Sequence, residues 1–70
     1  MEIKINTEFI KLGQALKLAG LVENGVEAKF VILDELVKVN NEIETRRGKK
    51  LYDGDVVNYK GKSFVIKNEN

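Results

Sequence analysis

The amino-terminal half of the chain changes from a strand pattern to a helix pattern within its first twenty residues. Residues 2–6 alternate polar and apolar side chains, which is typical of a half-buried strand. Residues 11–20 then place apolar side chains at positions i, i+3, i+4 and i+7, which predicts a short helix. A second helix is predicted over residues 24–35, with Asn24 as its N-cap and Glu27 as the capping-box acid. The two helices therefore adjoin through a short connection.

The carboxyl-terminal half has a two-residue period. Residues 37–40 alternate apolar and polar side chains, Asn40 and Asn41 favour a tight turn because Asn tolerates positive φ, and Ile43 begins the return strand. The remaining elements are a turn at residues 53–55, a strand over 56–59, a hairpin connection at 60–62, a strand over 63–67 and a frayed tail at 68–70. Helices followed by hairpins predict an α+β fold with a mostly antiparallel sheet.

Length and composition restrict what this chain can be. Its 70 residues, 43% of them hydrophobic, predict a single domain over residues 1–70 with one modest core. The absence of Cys and His excludes disulfides, zinc fingers and Cys or His nucleophiles. The longest apolar run, residues 30–33, is far too short to span a bilayer, and Glu2 and Lys4 interrupt the position of a signal peptide. We therefore expect a cytoplasmic protein that does not enter a membrane, and a monomer.

Charge is distributed unevenly along the chain. The formal net charge is +1, but residues 1–45 carry five Lys and eight acidic residues, whereas residues 46–70 carry seven basic and three acidic residues. Four cations, Arg46, Arg47, Lys49 and Lys50, fall within five residues and repel one another. A polyanionic partner would relieve this repulsion. The alternative is an ordinary solvated loop.

Several short segments resemble the S4-type RNA-binding domain. They are Lys11-Leu12, Gly20-Leu21-Val22, Ala28-Lys29, Val37-Lys38-Val39-Asn40 and Gly54-Asp55-Val56. Leu12-Gly13-Gln14 and the segment from Arg46 to Tyr52 are similar to the small stand-alone S4-like proteins of the YaaA/YbcJ type. The resemblance covers residues 11–57. It implies an S4-like (αL) fold, in which two helices pack on a small twisted sheet, and binding of structured RNA, often ribosomal.

Candidate RNA contacts follow from this resemblance and from the charge pattern. The candidate cations are those of residues 46–50 together with Lys11, Lys29 and Lys38. The alternative to an RNA contact at each of these positions is an ordinary exposed side chain. Asn24-Gly25 stands where many S4 domains have a Ser-Arg pair. The backbone N–H groups of the helix start there still favour phosphate. Asn41 replaces the usual Gly, at little cost, because Asn also fits a left-handed turn.

Phe30 is a candidate of a different kind. On a helical wheel Val26, Phe30 and Leu33 form one stripe, while Ala28, Val31 and Ile32 form another, which the S4 pattern buries. An exposed Phe30 beside Lys29 would suit stacking on an unpaired RNA base. The alternative is that Phe30 fills the core or covers the first strand.

We therefore expect a non-catalytic protein that docks on structured RNA, with ribosomal RNA or a ribosomal particle as its partner. No cofactor, metal or small-molecule substrate is expected, because no pairing of nucleophile and base is visible and Asp53 and Asp55 are explained by a turn. The competing hypothesis is a protein-interaction module that uses the stripe of Val26, Phe30 and Leu33 together with the cationic loop to bind an acidic partner.

Overall fold

Two short helices and a mixed sheet make up the computed structural model, which describes residues 1–69. The elements are β1 (Glu2–Ile5), β2 (Ile10–Lys11), α1 (Leu12–Leu18), α2 (Gly25–Leu33), β3 (Val37–Val39), β4 (Glu42–Ile43), β5 (Lys50–Leu51), β6 (Val56–Tyr59) and β7 (Lys62–Asn68). The main sheet has the order β1-β7-β6-β3-β4, and β2 pairs with β5 in a separate ladder. Among the strands of residues 1–69 only β1 and β7 pair in parallel, so the predicted α+β fold with a mostly antiparallel sheet is confirmed.

The hairpin turns form where the sequence predicts them. Asn40 and Asn41 have φ values of 51° and 70°, and Lys60 and Gly61 have values of 53° and 75°. Positive φ at both positions of a two-residue loop matches the right-handed twist of the flanking strands. These local turns set the registers of the β3–β4 and β6–β7 hairpins.

Both helices end in a Schellman motif. Gly20, at φ 73°, follows α1, and the N–H of Leu21 donates to the carbonyl of Leu16 at 3.1 Å. Glu35, at φ 63°, takes the same position after α2, so that helix ends at Leu33 rather than at the predicted residue 35. A left-handed residue cannot continue a right-handed helix.

The core lies between the helices and one face of the sheet. The predicted apolar stripes of both helices are confirmed, since Leu12, Ala15 and Leu16 of α1 and Ala28 and Ile32 of α2 are fully buried. The sheet contributes alternate residues of β1, β3, β6 and β7: Ile3, Ile5, Val37, Val39, Val57, Tyr59, Phe64 and Ile66. The intervening residues of these strands face away from the helices, which leaves the outer face of the sheet open.

Two predictions at element ends are wrong. Lys11 is the N-cap of α1 and not its first helical residue, since its backbone is extended, at φ −77° and ψ 145°, and it pairs with Lys50 in the β2–β5 ladder. The tail is also ordered as far as Glu69, since the N–H of Asn68 donates to Asp53 at 2.7 Å and that of Glu69 to Ile5 at 2.9 Å. Asn70 lies outside the described residues.

Candidate nucleic-acid interface

The basic loop, residues 46–50, is fixed to the amino-terminal end of α1. The first N–H groups of a helix have no partner within it. Here the N–H of Leu12 donates to the carbonyl of Lys49 at 2.9 Å, and that of Gly13 to the carbonyl of Arg47 at 3.1 Å. The loop backbone therefore completes the first turn of α1, and these hydrogen bonds fix where the loop lies against the helix.

Cations from distant parts of the chain meet around an open depression of about 320 Å³. Its lining residues are Lys11, Gly13, Gln14, Lys17, Gly25, Arg47 and Gly48. Lys11, at the end of β2, Lys17 of α1 and Arg47 of the basic loop supply positive charge, and none of the described lining residues is acidic. Three glycines leave much of the surface as bare backbone, which a ligand can approach closely. This composition suits an anion with several oxygen atoms.

Gly13 allows the basic loop to lie this close to α1. A Cβ atom at position 13 would lie 2.8 Å from Cγ of Arg47, closer than van der Waals contact permits. The Arg47 atom is near the root of its side chain, so it can move away only if the whole side chain shifts. Gly13 therefore determines where Arg47 lies at the edge of the depression.

We expect Gly13→Ala to weaken RNA binding severalfold while changing the melting temperature little. The added methyl displaces Arg47, and the strain it causes is offset by the higher helix propensity of Ala, about 1 kcal/mol. The matched control is Gly25→Ala, which adds the same methyl to the depression where no atom lies within 4 Å. Equal losses in both variants would mean that the methyl blocks RNA directly and that the placement of Arg47 is not what matters.

Arg46 is engaged by Glu44, unlike its neighbour Arg47. Its guanidinium donates from Nε to Oε2 at 3.0 Å and from Nη2 to Oε1 at 3.1 Å, and its backbone N–H donates to Oε2 at 3.0 Å. The hydrogen bond from the Arg46 side chain holds the pKa of Glu44 below its ordinary value, against the opposing effect of partial burial. Because this pKa is lowered, the pair is intact at neutral pH and is lost only as the pH falls through it.

We expect Arg47→Ala to weaken RNA binding more than Arg46→Ala, although the two substitutions remove the same charge from adjacent positions. The Arg46 fork must give up its hydrogen bonds to Glu44 before it can hold a phosphate, whereas Arg47 already faces the depression. RNA titrations at one salt concentration compare the two. Equal losses would show that the Glu44 pair opens when RNA binds. Glu44→Gln should then strengthen binding by freeing Arg46.

The structure brings some of the predicted site residues together and separates others. Lys11, Arg47 and Gly25 meet at the depression. Asn24 lies beside them in sequence, and its Oδ1 accepts the N–H of Glu27 at 2.9 Å, which confirms its predicted N-cap role. Lys29 is exposed on α2. Lys38 is exposed on β3, on the open sheet face, and its neighbours in the sheet are Ile43 and Asn58.

Phe30 is exposed, so the alternative that it fills the core is wrong. Its exposed fraction is 59%, and those of Val26 and Leu33 on the same stripe are 62% and 54%. The only residue of α2 at the depression is Gly25. A stacking role for Phe30 stays a prediction, on a surface of α2 outside the depression.

Sequence reasoning missed four contributors to this region. Lys17 and Gln14 line the depression together with Lys11. The i, i+3, i+6 spacing of these three residues places them on one side of the chain, and this spacing could have been read from the sequence. Gly13 could be noticed as a glycine in the first turn of a helix. Phe9 gave no signal, and it lies with its ring centroid 4.8 Å below Nζ of Lys50.

Residues 1–69 hold no group of three or more acidic side chains placed to share a metal ion. No helix within the same residues has the length and apolar character needed to cross a bilayer.

Comparison with known proteins identifies the family. A family model described as S4 domain matches residues 3–67. The chain is 49% identical over 67 residues to "Probable ribosome maturation protein RlbA" of Bacillus subtilis (strain 168), with 94% of each protein covered. It is 39% identical over 57 residues to "Putative RNA-binding protein YbcJ" of Escherichia coli (strain K12), with 81% of each covered.

A solved structure agrees with these relatives. The solution structure of YbcJ from E. coli, described as revealing an αL motif involved in RNA binding, matches with a TM-score of 0.73 and 31% identity. The match covers 94% of this chain and 85% of that one. The resemblance seen in residues 11–57 is thereby confirmed, and this chain belongs to the S4 domain family.

Proposed function

We propose that this protein binds structured RNA by holding backbone phosphates in the depression between the basic loop, α1 and the start of α2. The observation that carries the proposal is the meeting of Lys11, Lys17 and Arg47 around a depression whose described lining has no carboxylate. In a chain with almost balanced charge, such a grouping is a local feature of the fold. The protein acts by docking, without a cofactor and without catalysis.

The chemistry of the depression matches a phosphate backbone. Arg47 offers a planar fork that can hold two phosphate oxygens, whereas Lys11 and Lys17 act as mobile point charges. Gly13, Gly25 and Gly48 let the RNA backbone come close to the protein backbone. Such contacts recognise the shape of folded RNA more than its sequence.

The relatives support a ribosomal partner. One is named as a ribosome maturation protein and another as an RNA-binding protein. We therefore propose ribosomal RNA or a ribosomal particle as the target, the cytoplasm as the location and a monomer as the acting form. Lys29 and the remaining cations of the basic loop would add contacts around the depression.

The deciding experiment is a titration of a structured ribosomal RNA fragment at several salt concentrations. If four to six cations meet phosphates, log K should fall with log salt at a slope of roughly −3 to −5, using about 0.7 to 0.9 per phosphate. The electrostatic part of binding comes from counterions that the cations displace from the RNA. A flat salt response would rule out phosphate docking.

The exposed stripe of Val26, Phe30 and Leu33, together with the basic loop, supports a second candidate function, docking on an acidic protein. Three large apolar side chains lie side by side on one helix, and a partner that covered them would be bound favourably because their apolar surface would leave water. Co-sedimentation with ribosomal particles before and after nuclease treatment separates the candidates. Loss of co-sedimentation after nuclease treatment supports RNA docking, and retention supports the protein contact.

A further inference from the structure

The outer face of the β2–β5 ladder carries a pair of lysines next to a pair of aromatic rings. Ile10 and Leu51 face each other in this ladder and are buried, whereas Lys11 and Lys50 face each other and are exposed. Phe9 and Tyr52 lie one position beyond the ladder, with ring centroids 6.0 Å apart and planes inclined at 52°. Because side chains alternate along a strand, the aromatic pair and the lysine pair lie on the same face.

Folding alone does not explain this arrangement. Like charges directly opposite each other destabilise a ladder. Within residues 1–69, Arg46 and Glu44 form an ion pair, but Lys11 and Lys50 do not take part in one. No carboxylate of these residues lies within 4.0 Å of either lysine. Nζ of Lys50 instead lies 4.8 Å from the ring centroid of Phe9. A ring face attracts a cation but does not neutralise it, so the lysine pair still lacks an anion.

We infer that this face binds an unpaired RNA nucleotide, whose base stacks on Tyr52 while its phosphates lie along Lys50 and Lys11; the inference rests on the RNA-binding function proposed above. Tyr52 is 43% exposed, so part of its ring is open to a ligand. A cationic track beside aromatic rings is the common arrangement for single-stranded nucleic acid. The nucleotide is unpaired because a base inside a duplex is stacked on its neighbours and does not offer its face to a side chain.

The ladder face is continuous with the depression. Lys11 lines the depression, and its partner Lys50 lines a second hollow together with Arg46, Gly48, Lys49 and Tyr52. The two hollows share Gly48. An RNA strand that leaves the depression therefore passes over Lys11 and Lys50 and reaches Tyr52. The ligand class is a folded RNA with an unpaired nucleotide next to its helical part, such as a bulge, a loop closure or an overhang.

The test compares two RNA probes with each protein variant at one salt concentration. One probe is a blunt hairpin, and the other is the same hairpin with a single-stranded adenosine extension that contains one 2-aminopurine. The wild-type protein should bind the extended hairpin roughly 5- to 150-fold more tightly, which is the affinity equivalent of stacking one base. The fluorescence of 2-aminopurine should fall on binding, because stacking quenches it.

Tyr52→Leu should abolish the quenching and lower the preference for the extended hairpin by this stacking factor, while affinity for the blunt hairpin is unchanged. Tyr52→Phe keeps the ring and should behave like the wild type. Phe30→Leu removes the exposed ring on α2 and should keep the preference. The inference is wrong if the wild type binds both hairpins equally, if Tyr52→Leu weakens both equally, or if Phe30→Leu abolishes the preference. If the wild type binds neither hairpin, nor any other structured RNA, the proposed function itself fails.

Discussion

Ile32→Ala should leave the protein largely unfolded at 25 °C. Ile32 is fully buried in the core between α2 and the sheet. Truncation of a buried Ile to Ala costs about 2–5 kcal/mol, because transfer free energy is lost and a cavity remains. The net stability of a domain this small is about 3–5 kcal/mol, and residues 1–69 contain neither a disulfide nor a metal cluster to supplement it. A denaturant melt followed by far-UV circular dichroism measures the effect.

Phe30→Ala is the matched control for that substitution. It removes a larger apolar side chain from the same helix, but from the exposed stripe, so the cost should be under about 1 kcal/mol. If Phe30→Ala unfolds the protein while Ile32→Ala does not, the assignment of the two faces of α2 is reversed. An RNA titration of Phe30→Ala and Phe30→Leu also tests Phe30 itself. Equal weakening in both variants would indicate stacking, since Leu restores apolar volume without an aromatic face.

Local chemistry explains which parts of the fold were predictable. Asn40-Asn41 and Gly61 form the predicted turns because Asn and Gly accept positive φ readily, whereas Lys60 takes its positive φ from the two-residue hairpin loop that it shares with Gly61. The buried face of α1 followed from periodicity, whereas α2 has two apolar stripes and the S4 resemblance indicated which of them is buried. The end of α2 was predicted two residues late because Glu is not a residue type that favours a left-handed backbone, which Glu35 nevertheless adopts. Its conformation is set by the closing hydrogen bond from Leu36 to Val31.

Contacts between distant segments explain what was not predictable. The β2–β5 ladder is two residues long and joins segments forty positions apart, so neither strand has a pattern of its own. The sequence identified which cations are candidates for RNA contact, but the β2–β5 ladder determines which of them lie close together. It places Lys11 beside the basic loop, while Lys38 points to the other side of the sheet. Lys17 was missed for the same reason, since only the packed structure shows that its side of α1 faces the depression.

Replacement of Lys11, Lys17 and Arg47 together by Ala should have the largest effect on function. If each cation meets one phosphate, the slope of log K against log salt should become less steep by about 2 to 3. This corresponds to a loss of roughly 10²- to 10³-fold in affinity at 0.1 M salt, if the affinities converge near 1 M. The melting temperature should change little, because exposed charges contribute little to stability.

The control for this triple variant is the simultaneous replacement of Lys4, Lys38 and Lys67 by Ala. It removes the same charge from the open face of the sheet, where Lys4 and Lys67 are neighbours across β1 and β7. The contrast distinguishes a site from general attraction, since both variants change the net charge equally. A loss confined to the first variant supports the depression. Equal losses would mean that total charge governs binding, and a larger loss in the control would move the interface to the sheet and support the predicted role of Lys38.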